Sequence, residues 1–184
     1  MAISQLDPKT ALIVIDLQYG IVRLPSCTPT ESVIANAVRL IEAFRAQQLP
    51  VVLVNVAGSA PGRVEQSLGG GAVPDDWATL VPELNAQPSD ILITKRHWGA
   101  LINTELHQQL QALAVTQVVV VGIAATIGVE STARQAYELG YNVTLVLDAM
   151  TDRSREAFDN SATRIFPKLG ETGSTAELLA LLGA

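Results

Sequence analysis

The sequence predicts an α/β fold built on a doubly wound parallel sheet of five to six strands, in the order 3-2-1-4-5(-6). Three observations carry this reading. Apolar runs recur without in–out alternation, most plainly at residues 10–15, 50–54 and 118–121, as strands buried on both faces require. Segments of helical period separate these runs. Short loops join most of the elements, which favours right-handed crossovers between parallel strands.

Residues 10–15, TALIVI, form the first strand, which ends in Asp16-Leu17-Gln18. Residues 19–29 are expected as a loop. Thr28-Pro29-Thr30-Glu31 has the form of a capping box with proline at the first helical position. Ile34, Ala37, Val38, Ile41 and Phe44 then share one helix face. Residues 50–54 are the second strand. Residues 56–89 show no sustained period and contain Pro61-Gly62, Gly69-Gly70-Gly71 and further prolines at 74, 82 and 88. Such a segment is expected as a functional loop or lid, with short helical turns near residues 64–68 and 77–80.

Residues 90–94 are the third strand, followed at once by Lys95-Arg96-His97-Trp98. Asn103 is placed to cap a helix whose face is Leu106, Leu110 and Leu113. Residues 117–140 are a central strand–turn–helix that turns through residues 122–128 and stops at Gly140. Residues 142–147 are a fifth strand. Asp152 or Ser154 starts a helix running to about Ile165, and residues 169–172 add an edge strand. Ser174-Thr175-Ala176-Glu177 is a capping box for the last helix, 178–182.

A uniform composition over 184 residues predicts a single domain spanning 1–184. Hydrophobic residues make up 48%, enough for a full core and for apolar surface buried between subunits. A net charge of −6 without a basic run disfavours nucleic acid and anionic membranes as partners. No apolar stretch approaches the roughly 18 residues of a membrane span. The opening MAISQLDPKT lacks the basic and apolar regions of a signal peptide. Cys27 is the single cysteine, which leaves no internal disulfide and suits a reducing cytoplasm.

With this strand order the winding reverses between strands one and four, and ligands bind beyond their carboxyl ends. Asp16, Lys95 and the turn at residues 124–128 converge there. Desolvation raises the pKa of an aspartate placed like Asp16, and a lysine beside it lowers that pKa. A carboxyl held between those influences suits general acid–base work. The same residues equally describe a turn aspartate that pairs with Lys95 only to satisfy two charges. Thr126 can cap the following helix, and the Ala124 and Gly128 N–H groups can receive an oxyanion or carboxylate. An ordinary turn of small residues reads the same way. Further candidate substrate contacts are Gln18 at the first strand's end, Arg63 for an anionic group, Trp77 and Trp98 as walls, and Ala124.

There is no Gly-x-Gly-x-x-Gly, so a nicotinamide cofactor is not expected. His97 and His107 are the only histidines, and neither lies at metal-ligand spacing from another ligand type, so no metal is expected. Cys27 reads as an ordinary loop thiol.

Three segments, ALIVIDLQ, TKRHWGALINTEL and VVVVGIAATIGVESTA, resemble the isochorismatase-like hydrolase family, also called the cysteine hydrolase family. The resemblance runs from about residue 10 to 150. It implies a three-layer Rossmann-like sandwich and a cis peptide at Ile123–Ala124. It also implies an Asp–Lys–Cys triad, in which Asp16 and Lys95 match the first two members and Gly128 stands at the cysteine position. A thioester route lacks its sulfur here. True isochorismatases also have glycine at that position and are similar in hydrolysing a vinyl ether without a covalent intermediate, their aspartate protonating substrate while water attacks. This chain has Ala124 where they carry a tyrosine, and Gly99-Ala100-Leu101 where the family carries Ser-Ala-Phe. The metal-binding aspartate and histidines of nicotinamidases have no counterpart in residues 55–71.

The expected function is therefore hydrolysis of a small organic molecule without a cysteine nucleophile. Asp16 is the general acid or base, Lys95 tunes it, Gly128 takes the third catalytic position and water attacks. The alternative is a catalytically silent small-molecule-binding protein of the same fold. A third possibility is that Gly128 replaces a cysteine by engineering. The resemblance implies a homodimer or higher homo-oligomer.

Overall fold

The computed structural model describes residues 3–65 and 74–183. Strands β1 (Thr10–Ile15), β2 (Val51–Val56), β3 (Ile91–Lys95), β4 (Gln117–Ile123), β5 (Asn142–Thr151) and β6 (Glu171–Gly173) form one sheet in the order β3-β2-β1-β4-β5-β6. Every strand pairing is parallel. The expected order holds, and the winding reverses between β1 and β4.

The helices are α1 (Tyr19–Val22), α2 (Thr30–Ala46), α3 (Leu106–Ala112), α4 (Glu130–Glu138), α5 (Arg155–Asn160), α6 (Phe166–Leu169) and α7 (Thr175–Leu182). Alternate residues of the central strands feed two cores. Ile13, Ile15, Val118 and Val120 pack beneath α3, α4, α5 and α6, against residues such as Leu110, Ala133, Phe158 and Phe166. Leu12, Val14, Val119 and Val121 pack against α2 and α7 through Val33, Leu40, Phe44 and Leu178. This explains why β1 and β4 are apolar at consecutive positions and buried throughout. Each such side chain contributes about 1.5–3 kcal/mol of burial free energy. Gly122, at φ +116, lets β4 approach β1, since a Cβ there would lie 2.1 Å from the Ile15 carbonyl oxygen.

Several local expectations are corrected. Pro29 precedes α2 as its cap residue, with no side-chain cap bond, so Thr28 does not form the expected box. Residues 19–22 form a short helix instead of loop. Asn103 does not cap α3. It adopts φ +55, and Glu105 is the cap residue, so the loop takes an extra turn before the helix. β5 continues to Thr151, four residues beyond the apolar run, through a register shift against β4 at Val120/Gly122. The helix after Ser154 is broken by a π turn at Ser161–Ile165, and Pro167 follows at the start of α6. The Ser174 capping box is present as expected. The turn expected near residues 64–68 lies partly outside the described residues. Among the described residues no helix is long and apolar enough to cross a membrane.

Candidate active site

Asp16 ends β1 in the left-handed region, at φ +53. That conformation costs a non-glycine residue about 1–2 kcal/mol. Its N–H donates to Val54 O and its carbonyl accepts from Gln18 N–H, so the backbone is held while the side chain turns toward β3. Lys95, the last residue of β3, is in register with Val56. Its Nζ donates to Asp16 Oδ2 at 2.6 Å, and both side chains are buried. Asp16 Oδ1 is buried with no hydrogen-bond partner among the described residues. Burial lifts the Asp16 carboxyl from 3.8 to about 6, and the Lys95 ammonium restrains that rise.

Gly128 closes the third side. It lies in a π turn, Ala125–Val129, between β4 and α4. A Cβ built on Gly128 would lie 3.1 Å from Asp16 Oδ2 and 2.8 Å from Ile15 Cγ2. The turn therefore lies close against the carboxyl, and a side chain at 128 requires Ile15 and Asp16 to shift. The Ile123–Ala124 peptide is cis, as the resemblance implies. Ala124 O accepts from both Ile127 and Val129 N–H. Among the described residues, the Ala124 N–H donates to no protein acceptor.

Polar links fix these pieces to one another. Thr132 of α4 donates to Gly128 O at 2.7 Å and accepts from Ala100 N–H at 3.1 Å. Gln135 Oε1 accepts from Leu101 N–H at 2.9 Å. A Cβ at Gly99 would meet the Gln135 amide at 2.2 Å, so glycine there makes room for this clasp. Thr126 does not act as the expected helix cap. Its N–H and hydroxyl both donate to Asp152 Oδ2, which anchors the turn to the end of β5.

The structure thus brings Asp16, Lys95 and Gly128 together, with Ala124 half-buried in the same turn. Gln18 differs from expectation. Its Nε2 donates to Val56 O and Trp77 O and its Oε1 accepts from Val56 N–H, so the buried amide braces β2 and the 74–81 segment instead of facing a ligand. Trp77 packs its ring on Gly20. Arg63 is exposed, and Trp98 is 62% exposed on the loop after Lys95. His97 Nδ1 is buried without a partner among the described residues, and Nε2 lies 3.4 Å from Asn103 Nδ2. Among the described residues, no three His, Cys, Asp or Glu side chains converge as a metal site. Concavities of about 260 and 290 Å³ flank Tyr141 and Asn142, at the opposite end of the strands from Asp16.

Residues 10–177 match the isochorismatase domain. The chain belongs to the isochorismatase family. It is similar to the uncharacterized isochorismatase family protein YwoC of Bacillus subtilis, 41% identical over 93% of each chain. It is also similar to the uncharacterized isochorismatase family protein YecD of Escherichia coli O157:H7, 39% identical over 97% of this chain and 99% of that one. A solved isochorismatase family protein from Burkholderia thailandensis superposes with TM-score 0.93 at 40% identity, covering 98% of both chains. The chain thus has the six-stranded parallel α/β architecture of the isochorismatase family.

Sequence reasoning missed Thr132, Gln135 and the hydrogen bonds of Asp152. Thr132 and Gln135 lie three residues apart on α4, a spacing that puts both on one helix face. Nothing in the sequence marks that face as the seat of the 99–101 loop.

Proposed function

We propose that this isochorismatase-family protein hydrolyses a small organic molecule, with Asp16 as general acid and base and water as nucleophile. The observation that carries the reading is the Asp16 carboxyl itself. One oxygen is engaged by Lys95, the other is buried and unpartnered, and Gly128 packs against the group where the family places a thiol. A carboxyl lifted to about 6 retains enough proton near neutrality to act as an acid.

The substrate class proposed is a vinyl ether. Asp16 delivers its proton to the terminal alkene carbon, and the ether-bearing carbon becomes an oxocarbenium ion. Water adds to that carbon and returns a proton to the carboxylate. The hemiketal then collapses to a carbonyl compound and an alcohol. Lys95 stabilises the carboxylate between the two proton transfers. The Ala124 amide is available to hold a substrate oxygen. The exposed apolar side chains of Leu92, Trp98 and Ile102 support a homo-oligomer, and the lone cysteine supports a cytoplasmic setting.

A second reading, a binding protein without turnover, is favoured by the closure of the site, where Asp16 is only 5% exposed. One experiment separates the two. Wild type and Asp16→Ala are assayed against vinyl ethers (isochorismate among them), amides and carbamates, with thermal shift in parallel. Turnover lost in Asp16→Ala supports the hydrolase. Stabilisation without turnover selects the binding protein, and turnover that survives Asp16→Ala refutes the mechanism.

A further inference from the structure

Asp152 follows the last residue of β5 and is buried. Its Oδ2 accepts from the Thr126 N–H at 2.8 Å and from the Thr126 hydroxyl at 2.7 Å. Its Oδ1 accepts a longer bond from Ser154 N–H, 3.3 Å. Its backbone carbonyl accepts from Cys27 N–H at 2.7 Å. Helix capping does not account for this carboxylate, because Ser154 already caps α5 by accepting from Ala157 N–H. Among the described residues no cation pairs with it. A buried carboxylate without a counter-charge is costly to desolvate. Here two charge-assisted bonds from a single residue offset that cost. Both bonds fix Thr126, two residues before the glycine that presses on Asp16.

We propose that Asp152 is a positioning residue for the Asp16 site: by holding Thr126 it seats the β4 turn so that Gly128 packs over the Asp16 carboxyl and shields it from bulk water. Asp152 acts through the turn and not through its charge. Lys95 of β3 is the one charged group that moves the Asp16 carboxyl, and residues 124–129 of the turn carry no titratable side chain. The consequence for catalysis rests on the reading of Asp16 as proton donor, but the test below does not.

The test is a carboxyl-carbon NMR titration of the full chain, with Asp16→Asn used to assign the Asp16 signal. In wild type the Asp16 midpoint lies near 6. Asp152→Ala frees the turn, water reaches the carboxyl, and the midpoint falls by about one unit toward its ordinary value. Asp152→Asn keeps the wild-type midpoint, because its amide oxygen still accepts both Thr126 donors and only the longer bond from Ser154 N–H is lost. Thr126→Val, which loses only the hydroxyl bond, falls in between. A folded Asp152→Ala whose Asp16 midpoint stays at the wild-type value overturns the proposal and leaves Asp152 a brace for stability alone. If Asp152→Ala does not fold, Thr126→Val decides: a lowered midpoint supports the proposal and an unmoved one overturns it. Turnover surviving Asp16→Ala would sink the hydrolase reading without touching this titration, so the two failures are distinguishable.

Discussion

Replacing Lys95 by Met removes the ammonium that faces Asp16 while keeping most of the buried stem's volume. In the wild type the Asp16 carboxyl stands at about 6 against an ordinary 3.8, raised by burial and restrained by Lys95. The folded value exceeds the unfolded one, so the folded state holds this proton longer and stability falls as pH rises from about 4 to 6. Above 6 the loss levels off at on the order of 3 kcal/mol. Without Lys95 the carboxyl moves further up. The Lys95→Met protein therefore keeps losing about 1.4 kcal/mol per pH unit above 6, where the wild type is level. The gap is about 1 kcal/mol at pH 7 and widens by about 1.4 kcal/mol per further pH unit for as long as the variant's carboxyl stays protonated. Near pH 4.5, roughly, Asp16 is neutral in both proteins and the wild type buries an ammonium without a counter-charge, so Met is at least as stable there. Urea unfolding of both proteins across this range, taken as a difference so that other titrating groups cancel, reads the effect. Two curves that run parallel above pH 6 would refute the electrostatic account of the pair.

Other outcomes follow from the packing. Gly128→Cys should lower stability by about 1–3 kcal/mol in urea unfolding and gain no amidase turnover, since its Cβ would force Ile15 Cγ2 from 2.8 Å. A stable, strongly amidolytic Gly128→Cys protein would instead mark the position as a vacated thiol. Gly20→Ala should cost about 1–3 kcal/mol, because the new methyl meets the Trp77 ring at 2.1 Å; an unchanged urea midpoint would contradict that seat. Gln18→Leu strands the Val56 N–H and should cost at least about 1–3 kcal/mol. If Gln18→Leu changed substrate KM at unaltered stability, Gln18 would be a ligand contact after all.

Much of the fold was legible because its causes are local. Consecutive apolar positions in β1 and β4 say that both sheet faces are covered, and Ser174 with Glu177 spells out the last helix start. Strand order then places Asp16, Lys95 and the β4 turn at one switch point. What was not legible depends on which side chain finishes near which backbone. Gln18 looked like a ligand contact because it follows Asp16, yet the unpaired Val56 N–H and carbonyl at the end of β2 claim its amide. Thr126 looked like a cap, but Asp152, 26 residues on, takes both its donors. The extension of β5 to Thr151 was hidden because its register shift against β4 interrupts the apolar pattern. The close approach of Gly128 to Asp16 and Ile15 was likewise not legible, because it depends on how the β4 turn seats against β1.

In the proposed mechanism Asp16 handles the proton. The most direct measurement is kcat/KM against pH for wild type and Asp16→Asn, on the most active vinyl ether of the panel. With Asp16 as proton donor the wild-type profile falls above about 6, and Asp16→Asn, still folded, is slowed by at least about 10²-fold. An Asp16→Asn protein with wild-type turnover and the same pH profile would contradict that role.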